Sequence, residues 1–258
     1  MISVLITNYN KSKFLKKTLK SVILNRHKNY EIILFDDAST DSSLKVLKQF
    51  KNIKLIRNKK KIYKSPALNQ INGILECFKI SKGNLICLLD GDDCFTKKRL
   101  KLIEKNLNNR NIDCIFNLPK ERKKRFYPRI KDKCHSIWPT IIPTSCISFK
   151  RNFFIKFLKL LEKKKYKNLE IDARLTIFSK FYLDQFNIIP NKLTFYGFDI
   201  HGITSSIKKF SIKWWIRRYE AFQYLRFILK MRKKPFKASI DYYLTCFIFF
   251  ACKNFQTK

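Results

Sequence analysis

The residues whose types and spacing could do chemistry form an acidic cluster, Asp90-Gly91-Asp92-Asp93, in a chain that is otherwise strongly basic. Carboxylates as close in sequence as Asp90 and Asp92 repel each other unless a positive charge lies between them. A hard divalent ion suits this arrangement, because Mg²⁺ binds one or two protein carboxylates and takes water and substrate phosphate as its other ligands. The cluster therefore predicts a site for a divalent cation and a phosphate-bearing substrate, although a turn with helix-capping aspartates would use the same residues.

Glycine-based phosphate sites are excluded by the glycine count. The chain has 5 glycines, and they form neither a G-x-G-x-x-G turn nor a G-x-x-x-x-G-K-[ST] loop. Gly91 is the one glycine inside the acidic cluster, where it removes a side chain that would block close approach. Any phosphate in this protein is therefore expected to be held through a cation.

The elements that must position these acids are predicted by apolar runs alternating with helical segments over the first hundred residues. The runs at 2–6, 31–35, 53–56 and 85–89 are typical of buried strands. Helices are predicted after residue 10, after residue 39, over 66–81 and after residue 96. Continuous apolar strands that alternate with helices favour an α/β fold, with a parallel sheet covered on both faces.

Polar residues follow three of these strands at the point where each strand ends. Thr7, Asn8 and Tyr9 follow the first strand, 36–37 follows the second, and 90–93 follows the fourth. In parallel sheets ligands bind outside the carboxyl ends of the strands. We therefore expect the three clusters to meet in one crevice.

The second half of the chain is less regular. A basic stretch at 119–125 is interpreted as a solvated loop in preference to a membrane or phosphate contact. A strand is predicted at 146–149, and helices are predicted over 153–163, 170–181 and 212–234. The last helix carries one apolar face that core packing explains best, with binding to an anionic membrane surface as the alternative. This face consists of Trp215, Tyr219, Phe222 and Leu229.

Composition limits the class of protein. Of 258 residues, 45% are hydrophobic, which allows one large domain or one domain with a small appendage. The chain has 56 Lys or Arg and 19 Asp or Glu, a net charge of +37, which would attract nucleic acid, anionic membrane or phosphorylated substrates. A lysine-rich genome would produce the same excess.

The cysteines and the amino-terminal residues predict a cytoplasmic protein. None of the 8 cysteines forms a C-x-x-C pair and only 3 histidines are present, so a structural zinc site is poorly supported and the thiols are expected to be reduced and buried. The first residues show no signal-peptide pattern. The apolar run at 242–252 is shorter than the ~20 residues that span a bilayer.

Three segments resemble the motifs of bacterial family 2 glycosyltransferases, which have the GT-A fold. Residues 2–10 are similar to the opening of that family, 31–41 to its second motif, where Ala38 is more usually Gly, and 83–93 to its D-x-D segment. Order and spacing match over about residues 1–105. The resemblance implies a Rossmann-like, mostly parallel sheet with helices on both faces, plus a helical carboxy-terminal extension.

The resemblance also implies roles for the strand-end residues. Thr7 and Tyr9 would line the nucleotide base pocket, and Asp37 would accept a hydrogen bond from the base edge, a suitable partner for the N–H of uracil. Asp90 would lie near the ribose, and Asp92 would be the principal ligand of Mg²⁺ or Mn²⁺.

The family transfers a sugar from a nucleotide diphosphate to an acceptor hydroxyl, usually with inversion, and a carboxylate takes the acceptor proton. Asp172 is the first candidate for this base and Glu170 the second, although both residues also suit the start of an ordinary helix. His201 lies in a late segment where the family has a histidine that can approach the metal or diphosphate.

The resemblance implies a glycosyltransferase domain over 1–205, with a nucleotide-sugar half over 1–108 and an acceptor half over 109–205. Residues 206–258 would form a basic amphipathic extension. The expected donor is a UDP- or dTDP-linked sugar, and the expected acceptor is a glycan or lipid-linked molecule of cell-surface glycan synthesis, reached from the cytoplasmic face of the membrane. No nucleic-acid partner is expected.

Two other functions stay open at this stage. A haloacid-dehalogenase-type phosphatase also has a hydrophobic strand followed by D-x-D, but that family has the motif on its first strand and Thr or Val where this chain has Cys94. A basic nucleic-acid-binding protein would explain the net charge, but it leaves the acidic strand ends unexplained.

Overall fold

The computed structural model describes residues 1–108, 111–120, 135, 137–138, 141–162, 165–197 and 207–255. The strands in this part of the chain are β1 (Ile2–Asn8), β2 (Tyr30–Asp36), β3 (Ile53–Arg57), β4 (Leu85–Asp90), β5 (Cys94–Phe95), β6 (Cys114–Pro119), β7 (Ile147–Lys150) and β8 (Asn187–Phe195). The α-helices are α1 (Ser12–Ile23), α2 (Ser43–Leu47), α3 (Pro66–Ile80), α4 (Arg99–Leu107), α5 (Arg151–Leu158), α6 (Ile171–Ile177), α7 (Ile212–Met231) and α8 (Ile240–Phe255).

The eight strands form one sheet in the order β3-β2-β1-β4-β7-β6-β8-β5. β3, β2, β1 and β4 run parallel, as the alternation of strands and helices predicts. β7 is antiparallel to β4 and to β6, whereas β8 is parallel to β6 and antiparallel to β5. The sheet is thus mixed and mostly parallel, and the carboxyl ends of β1, β2 and β4 lie side by side.

Helices cover both faces of the sheet. On one face, buried side chains of α1, α2 and α4 pack against alternate residues of the central strands, such as Val4 and Leu34. On the other face, α3, α5, α6 and α7 pack against the intervening residues, such as Leu5 and Ile33. Strands buried on both sides need continuous apolar sequence, which explains why β1, β2 and β4 could be predicted from their composition.

The predicted elements agree with the structure apart from their boundaries and four omissions. α2 is shorter than its apolar spacing indicates, and the helix predicted over 170–181 is α-helical only to Ile177 before it continues as a π-helical turn over Phe178–Tyr182. The sequence did not predict β5, β6, β8 or α8. The helix predicted after residue 96 is α4, which begins at Arg99.

The apolar face of α7 belongs to the core. Trp215, Phe222 and Leu229 are buried, and Phe222 and Leu229 lie in the same cluster as the α3 and α6 side chains. Core packing, the favoured interpretation of this stripe, is therefore confirmed. The division of the chain at residue 205 stays a prediction.

Most of the cysteines are interior thiols, as expected. Burial raises the thiol pKa of five cysteines on α3, on three strands and in the 3₁₀ turn before β7, and these side chains are free and buried. These are Cys77, Cys87, Cys94, Cys114 and Cys146. Cys246 and Cys252, both on α8, are partly exposed. Cys134 lies outside the described residues.

One glutamate, Glu31, links the strands near their amino-terminal ends, opposite the ends that carry the acidic cluster. Glu31 accepts hydrogen bonds from Ser3 Oγ (2.6 Å) and from the backbone N–H groups of Lys82 (2.6 Å) and Gly83 (3.2 Å), and it pairs with Lys54 Nζ at 2.7 Å. Burial alone raises the pKa of Glu31, but the bonds from Lys54, Ser3 and Lys82 outweigh it and lower the pKa to about 2. The carboxylate thus links β1, β2, β3 and the turn before β4.

Glu31→Gln is expected to destabilise the fold by roughly 1–3 kcal/mol at pH 7, because charge-assisted hydrogen bonds are lost. A lowered pKa contributes stability above the unfolded-state value near 4.5, and this contribution disappears as the pH falls towards about 2. The melting temperatures of the wild type and the variant should therefore converge in scanning calorimetry between pH 5 and pH 2.5. Glu76→Gln, which removes an exposed pair with Lys79, is the control and should change stability little. Equal effects of both variants would contradict the assignment.

Candidate functional site

The candidate site lies where β1, β2 and β4 end. The strand register places Thr7 beside Asp90 and Asn8 beside Asp36. The predicted convergence of the three polar clusters is therefore present in the structure, although the clusters are distant in sequence.

Asp90 is the centre of a hydrogen-bond network that reaches four elements. Its Oδ1 atom accepts bonds from Thr7 Oγ1 (3.0 Å) and from Gln70 Nε2 on α3 (2.9 Å), while its backbone N–H donates to Ser145 Oγ (2.9 Å). Ser145 belongs to a 3₁₀ turn, Thr144–Cys146, that precedes β7. The carboxyl group of Asp90 is thereby fixed in place.

The turn after Asp90 presents Asp92 towards α1. The N–H of Gly91 donates to the Thr7 carbonyl (2.9 Å), and a Cβ at this glycine would lie 2.8 Å from Asn8 Oδ1. Asp92 Oδ2 pairs with the Lys11 ammonium group at 2.8 Å, so a cation already lies against this carboxylate. Only glycine allows the turn to pack so closely against the end of β1.

Asp93 is buried beneath the site and joins it to the segment after β8. Its Oδ1 accepts a bond from the N–H of Gly197 (2.6 Å), and its Oδ2 lacks a hydrogen-bond partner among the described residues. A Cβ at Gly197 would lie 2.0 Å from the carbonyl oxygen of Asp92, so the two segments touch backbone to backbone. This contact brings Tyr196 close enough to the acids for their charges to act on its hydroxyl group.

The acids of this site act on one another. Burial, and then the charge of Asp92, raise the pKa of Asp90 to about 7, and Asp172 adds to the effect. Burial and the charges of Asp90 and Asp92 raise the pKa of Asp93 well above its usual value. Partial burial and the same four carboxyl groups raise the pKa of the Tyr196 hydroxyl. The site thus concentrates acidic side chains in a small volume.

A fully buried arginine, Arg99, lies beneath these acidic side chains. The guanidinium group of Arg99 donates to the Ser145 carbonyl, to Thr194 Oγ1 and, at 3.1 Å, to Ser148 Oγ. Its charge is close enough to Asp93 for the two groups to interact. Arg99 therefore connects β7, β8 and the 3₁₀ turn and places an internal positive charge under the acids.

The loop after β2 places a further carboxylate, Asp37, beside the site. Asp37 accepts a bond from Asn58 Nδ2 (3.2 Å), and burial raises its pKa although Asn58 and Lys61 oppose the shift. Tyr9 is 39% exposed, and Lys61 Nζ lies 3.4 Å from the centre of its ring. The site thus presents a partly exposed aromatic ring, covered on one face by Lys61, and a carboxylate.

The neighbouring Asp36 has a structural role instead. Its side chain accepts bonds from Asn8 Nδ2 (2.8 Å) and from the N–H of Ser39 (3.0 Å), and it is fully buried. Between these residues, Ala38 has φ 58°, a left-handed conformation that favours glycine. The backbone therefore explains why glycine is the more usual residue of this motif.

The two candidate bases have different surroundings. Glu170 is buried and pairs with Arg217 Nε on α7 at 2.5 Å, so its charge is already neutralised. Asp172, in the first turn of α6, accepts a bond from the N–H of Ala173 (2.7 Å). Burial, and then the charge of Glu170, raise the pKa of Asp172 to about 7, although Arg217 opposes the shift. A carboxyl group with such a pKa can exchange a proton near neutral pH.

The structure brings together six of the seven predicted site residues that it describes. The seventh, Glu170, forms a salt bridge with Arg217. The six are Thr7, Tyr9, Asp37, Asp90, Asp92 and Asp172. His201 lies outside the described residues.

Sequence reasoning missed Lys11, Gln70 and Ser145. Lys11 adjoins a recognised motif, which is a weak signal, whereas nothing in the sequence marks Gln70 or Ser145.

The carboxylates at the end of β4 fit a divalent cation that takes further ligands from its substrate and from water. No group of three or more His, Cys, Asp or Glu side chains could hold a metal ion by itself among the residues that the structure describes. The carboxylate of Asp92 nevertheless holds the Lys11 ammonium group at 2.8 Å, which shows that its position suits a cation. Mg²⁺ commonly uses one or two carboxylates and completes its shell with substrate phosphate and water. The residues fit a cation that binds together with a nucleotide diphosphate.

The sheet, its helices and this strand-end site define a GT-A-type α/β protein. The family model described as glycosyl transferase family 2 matches residues 3–183, which is more than half of the chain. The chain therefore belongs to glycosyl transferase family 2. This membership confirms the resemblance seen in the sequence and replaces the phosphatase alternative.

Curated relatives support the same family. An uncharacterized glycosyltransferase of Mycoplasma genitalium, MG060, is 31% identical over 178 residues, which cover 62% of this chain and 58% of that protein. The UDP-Glc:alpha-D-GlcNAc-diphosphoundecaprenol beta-1,3-glucosyltransferase WfaP of Escherichia coli is 32% identical over 101 residues, covering 39% of this chain and 38% of that one. The chain thus spans well under two thirds of the length of these relatives.

Solved structures share the fold. TarS residues 1–349 from S. aureus, in complex with UDP-GlcNAc, superimpose with a TM-score of 0.66 at 16% identity, covering 86% of this chain and 66% of that one. The mannosyltransferase PcManGT from Pyrobaculum calidifontis, in complex with GDP-Man and Mn²⁺, gives a TM-score of 0.61 at 15% identity, covering 93% and 66%. The predicted fold class is confirmed.

Proposed function

We propose that this chain is a metal-dependent, inverting glycosyltransferase of the hexosyltransferase type, which moves a sugar from a nucleotide-diphospho sugar to an acceptor hydroxyl. The observation that carries the proposal is that Asp172 on α6 lies near Asp90 and Asp92, at the end of β4. The charge of Asp172 acts on the carboxyl group of Asp90. A cation-binding carboxylate and a separate proton acceptor are the two groups that such a transfer needs.

The donor would lie across the ends of β1, β2 and β4. The ring of Tyr9 and the carboxylate of Asp37 would bind the base, and Asp37 would accept the N–H that uracil and thymine share. Asp90, held by Thr7 and Gln70, would bind the ribose. The donor complexes of TarS with UDP-GlcNAc and of PcManGT with GDP-Man support a nucleotide sugar as ligand of this fold.

Asp92 would hold a Mg²⁺ or Mn²⁺ ion, whose positive charge stabilises the diphosphate as it leaves. For the ion to bind, Lys11 would release Asp92 and turn towards the phosphate. His201 is retained as a further candidate ligand from the late segment. The Mn²⁺ complex of PcManGT supports a divalent ion here.

Asp172 would act as the base. The acceptor oxygen forms a bond to the anomeric carbon while the bond from that carbon to the diphosphate oxygen breaks, and the acceptor proton passes to Asp172. Attack from the side opposite the diphosphate inverts the anomeric centre. Glu170, neutralised by Arg217, would position α6 against α7 instead of taking the proton.

The acceptor is proposed to be lipid-linked, because the name of the relative WfaP includes a diphosphoundecaprenol acceptor. Peripheral contact with an anionic membrane, on its cytoplasmic face, would bring the enzyme to such an acceptor. In the part of the chain that the structure describes, no helix is both long enough and apolar enough to cross a bilayer.

The exposed face of α8 is the surface that suits this contact. Large apolar side chains recur there at helical spacing: Ile240, Tyr243, Leu244, Phe247 and Phe250, of which Ile240 is 88% exposed and Phe247 is 74% exposed. Exposed lysines precede the helix, including Lys230, Lys233 and Lys237. An anionic lipid surface satisfies both features, whereas a second copy with a charge of +37 would be repelled.

The metal role is tested by Asp92→Asn. UDP with Mn²⁺ should raise the melting temperature of the wild type by mass action, and the Mn²⁺-dependent part of this increase should disappear in the variant. Thermal shift with UDP alone, Mn²⁺ alone and both together measures this part. Asp184→Asn, which changes an exposed aspartate with φ 55°, is the control and should respond like the wild type. An undiminished Mn²⁺ effect in Asp92→Asn would refute the metal role.

The base is tested by comparing Asp172→Asn with Glu170→Gln. Asp172→Asn should slow sugar transfer by a factor on the order of 10²–10⁴ with UDP binding intact, and the wild-type rate should rise with pH through about 7 as Asp172 loses its proton. Glu170→Gln should lower the stability by about 3–5 kcal/mol, because Arg217 loses its buried partner, and keep more activity at low temperature. Rate assays from pH 5.5 to 8.5 and urea unfolding measure these effects. The opposite pattern would assign the base to Glu170.

Membrane contact is tested by vesicle co-sedimentation. Binding to phosphatidylglycerol vesicles should exceed binding to phosphatidylcholine vesicles, and Phe247→Ser should weaken it roughly tenfold, the value of one buried aromatic side chain. Ile62→Ser, at a side chain that is 55% exposed in the loop between β3 and α3, is the matched control. Equal vesicle binding by both variants would exclude α8 as the contact.

A further inference from the structure

A basic groove of about 840 Å³ lies near the candidate site, between α1 and the strands β5 and β8. Five lysines, Lys13, Lys16, Lys17, Lys20 and Lys120, line it together with Leu24, Phe95 and Phe195. None of the described lining residues is acidic. The groove therefore combines unneutralised positive charge with apolar surface.

Four of these lysines form one stripe along α1. They occupy positions i, i+3, i+4 and i+7 of the helix, all four are exposed, and α1 contains no acidic residue that would neutralise them. Like charges at this spacing repel each other and destabilise a helix slightly. A bound anion would relieve this repulsion, and a row spanning about 10 Å could contact more than one phosphate.

Two segments of the chain connect the lining of the groove to the transfer site. Cys94 and Phe95, which line it, directly follow Asp92 and Asp93, and Phe195 directly precedes the Tyr196-Gly197 segment that contacts Asp93. The groove therefore lies within a few residues of the acids along both segments.

The helix that carries the lysines is also fixed to the acidic turn. Thr18 Oγ1 donates to the Gly91 carbonyl (3.0 Å), Lys11 pairs with Asp92, and the N–H of Phe95 donates to Ser21 Oγ (2.9 Å). These bonds hold the lysine stripe at a constant position relative to Asp92.

The apolar walls of the groove favour an amphiphilic anion. Leu24 is 59% exposed and Phe195 is 43% exposed, and the Lys120 ammonium group lies 4.8 Å from the Phe195 ring centre. A bare phosphate would leave these apolar side chains in water, whereas an alkyl or prenyl chain attached to phosphate would cover them.

We infer that this groove binds the diphosphate and the adjoining chain of a lipid-linked acceptor, which rests on the proposed function of the neighbouring site. The lysine stripe binds the diphosphate, and the exposed side chains of Leu24 and Phe195 contact the first part of the apolar chain. The acceptor sugar, attached to the other end of the diphosphate, then extends towards Asp172.

The test uses a triple variant, Lys16→Gln, Lys17→Gln and Lys20→Gln, and a matched control, Lys45→Gln, Lys48→Gln and Lys51→Gln. All six lysines are exposed, and each variant loses three positive charges, so a general loss of charge affects both equally. Calorimetric titration of the full chain with farnesyl diphosphate should give a Kd about tenfold or more higher in the groove variant than in the control, and a weaker dependence on salt. Equal Kd values in the two variants would show that the groove is not the diphosphate site.

One further titration identifies the source of the phosphate. A soluble glycerol phosphate oligomer has repeated phosphates without an apolar chain, and it should bind more weakly than farnesyl diphosphate. If the oligomer binds more tightly, the proposal of a lipid-linked acceptor is refuted in favour of an anionic polymer.

Thermal shift with UDP and Mn²⁺ on the same samples distinguishes a failure of the donor site from a failure of the groove. A wild type that binds farnesyl diphosphate in the groove but ignores UDP would refute the donor site alone, whereas a response to UDP with equal diphosphate binding in both variants would refute the groove alone.

Discussion

Repulsion among closely placed carboxyl groups is the constraint on which the rest of this structure depends. Asp90, Asp92, Asp93 and Asp172 act on one another where solvent is scarce, and isolated charges are costly there. The surrounding elements offset this cost with hydrogen bonds to Asp90 and with positive charge from Lys11. The same concentration of negative charge makes the end of β4 attractive to a cation, so the constraint and the proposed activity have one origin.

The scaffold meets this constraint by connecting distant segments at the strand ends. Thr18 on α1, Gln70 on α3 and Gly197 after β8 each donate a hydrogen bond to the 90–93 segment. These donors come from both faces and from one edge of the sheet, so no single element determines the geometry. Arg99 adds a buried positive charge from below. A displacement of any of these elements would therefore change the hydrogen bonds that hold the acidic segment.

The sequence predicted the parts of the fold in which one local pattern decides the structure. The strands β1, β2 and β4 are buried on both faces, so their apolar runs identified them and the acids that follow. β8 escaped prediction because Asn187–Phe195 mixes polar and apolar residues and its register with β6 is irregular. In the site, partners such as Gln70 and the Glu170–Arg217 pair depend on tertiary packing between segments that are far apart in sequence, and no local pattern marks them.

The distribution of thiols has a practical consequence. Alkylating reagents attack thiolates, and burial keeps the interior cysteines protonated and inaccessible, whereas Cys246 and Cys252 on α8 are partly exposed. Modification of α8 should therefore be fast and modification of the interior should await global opening of the chain. Among the described cysteines, the modification rate on α8 would thus report whether this helix is covered, and the modification rate in the interior would report unfolding.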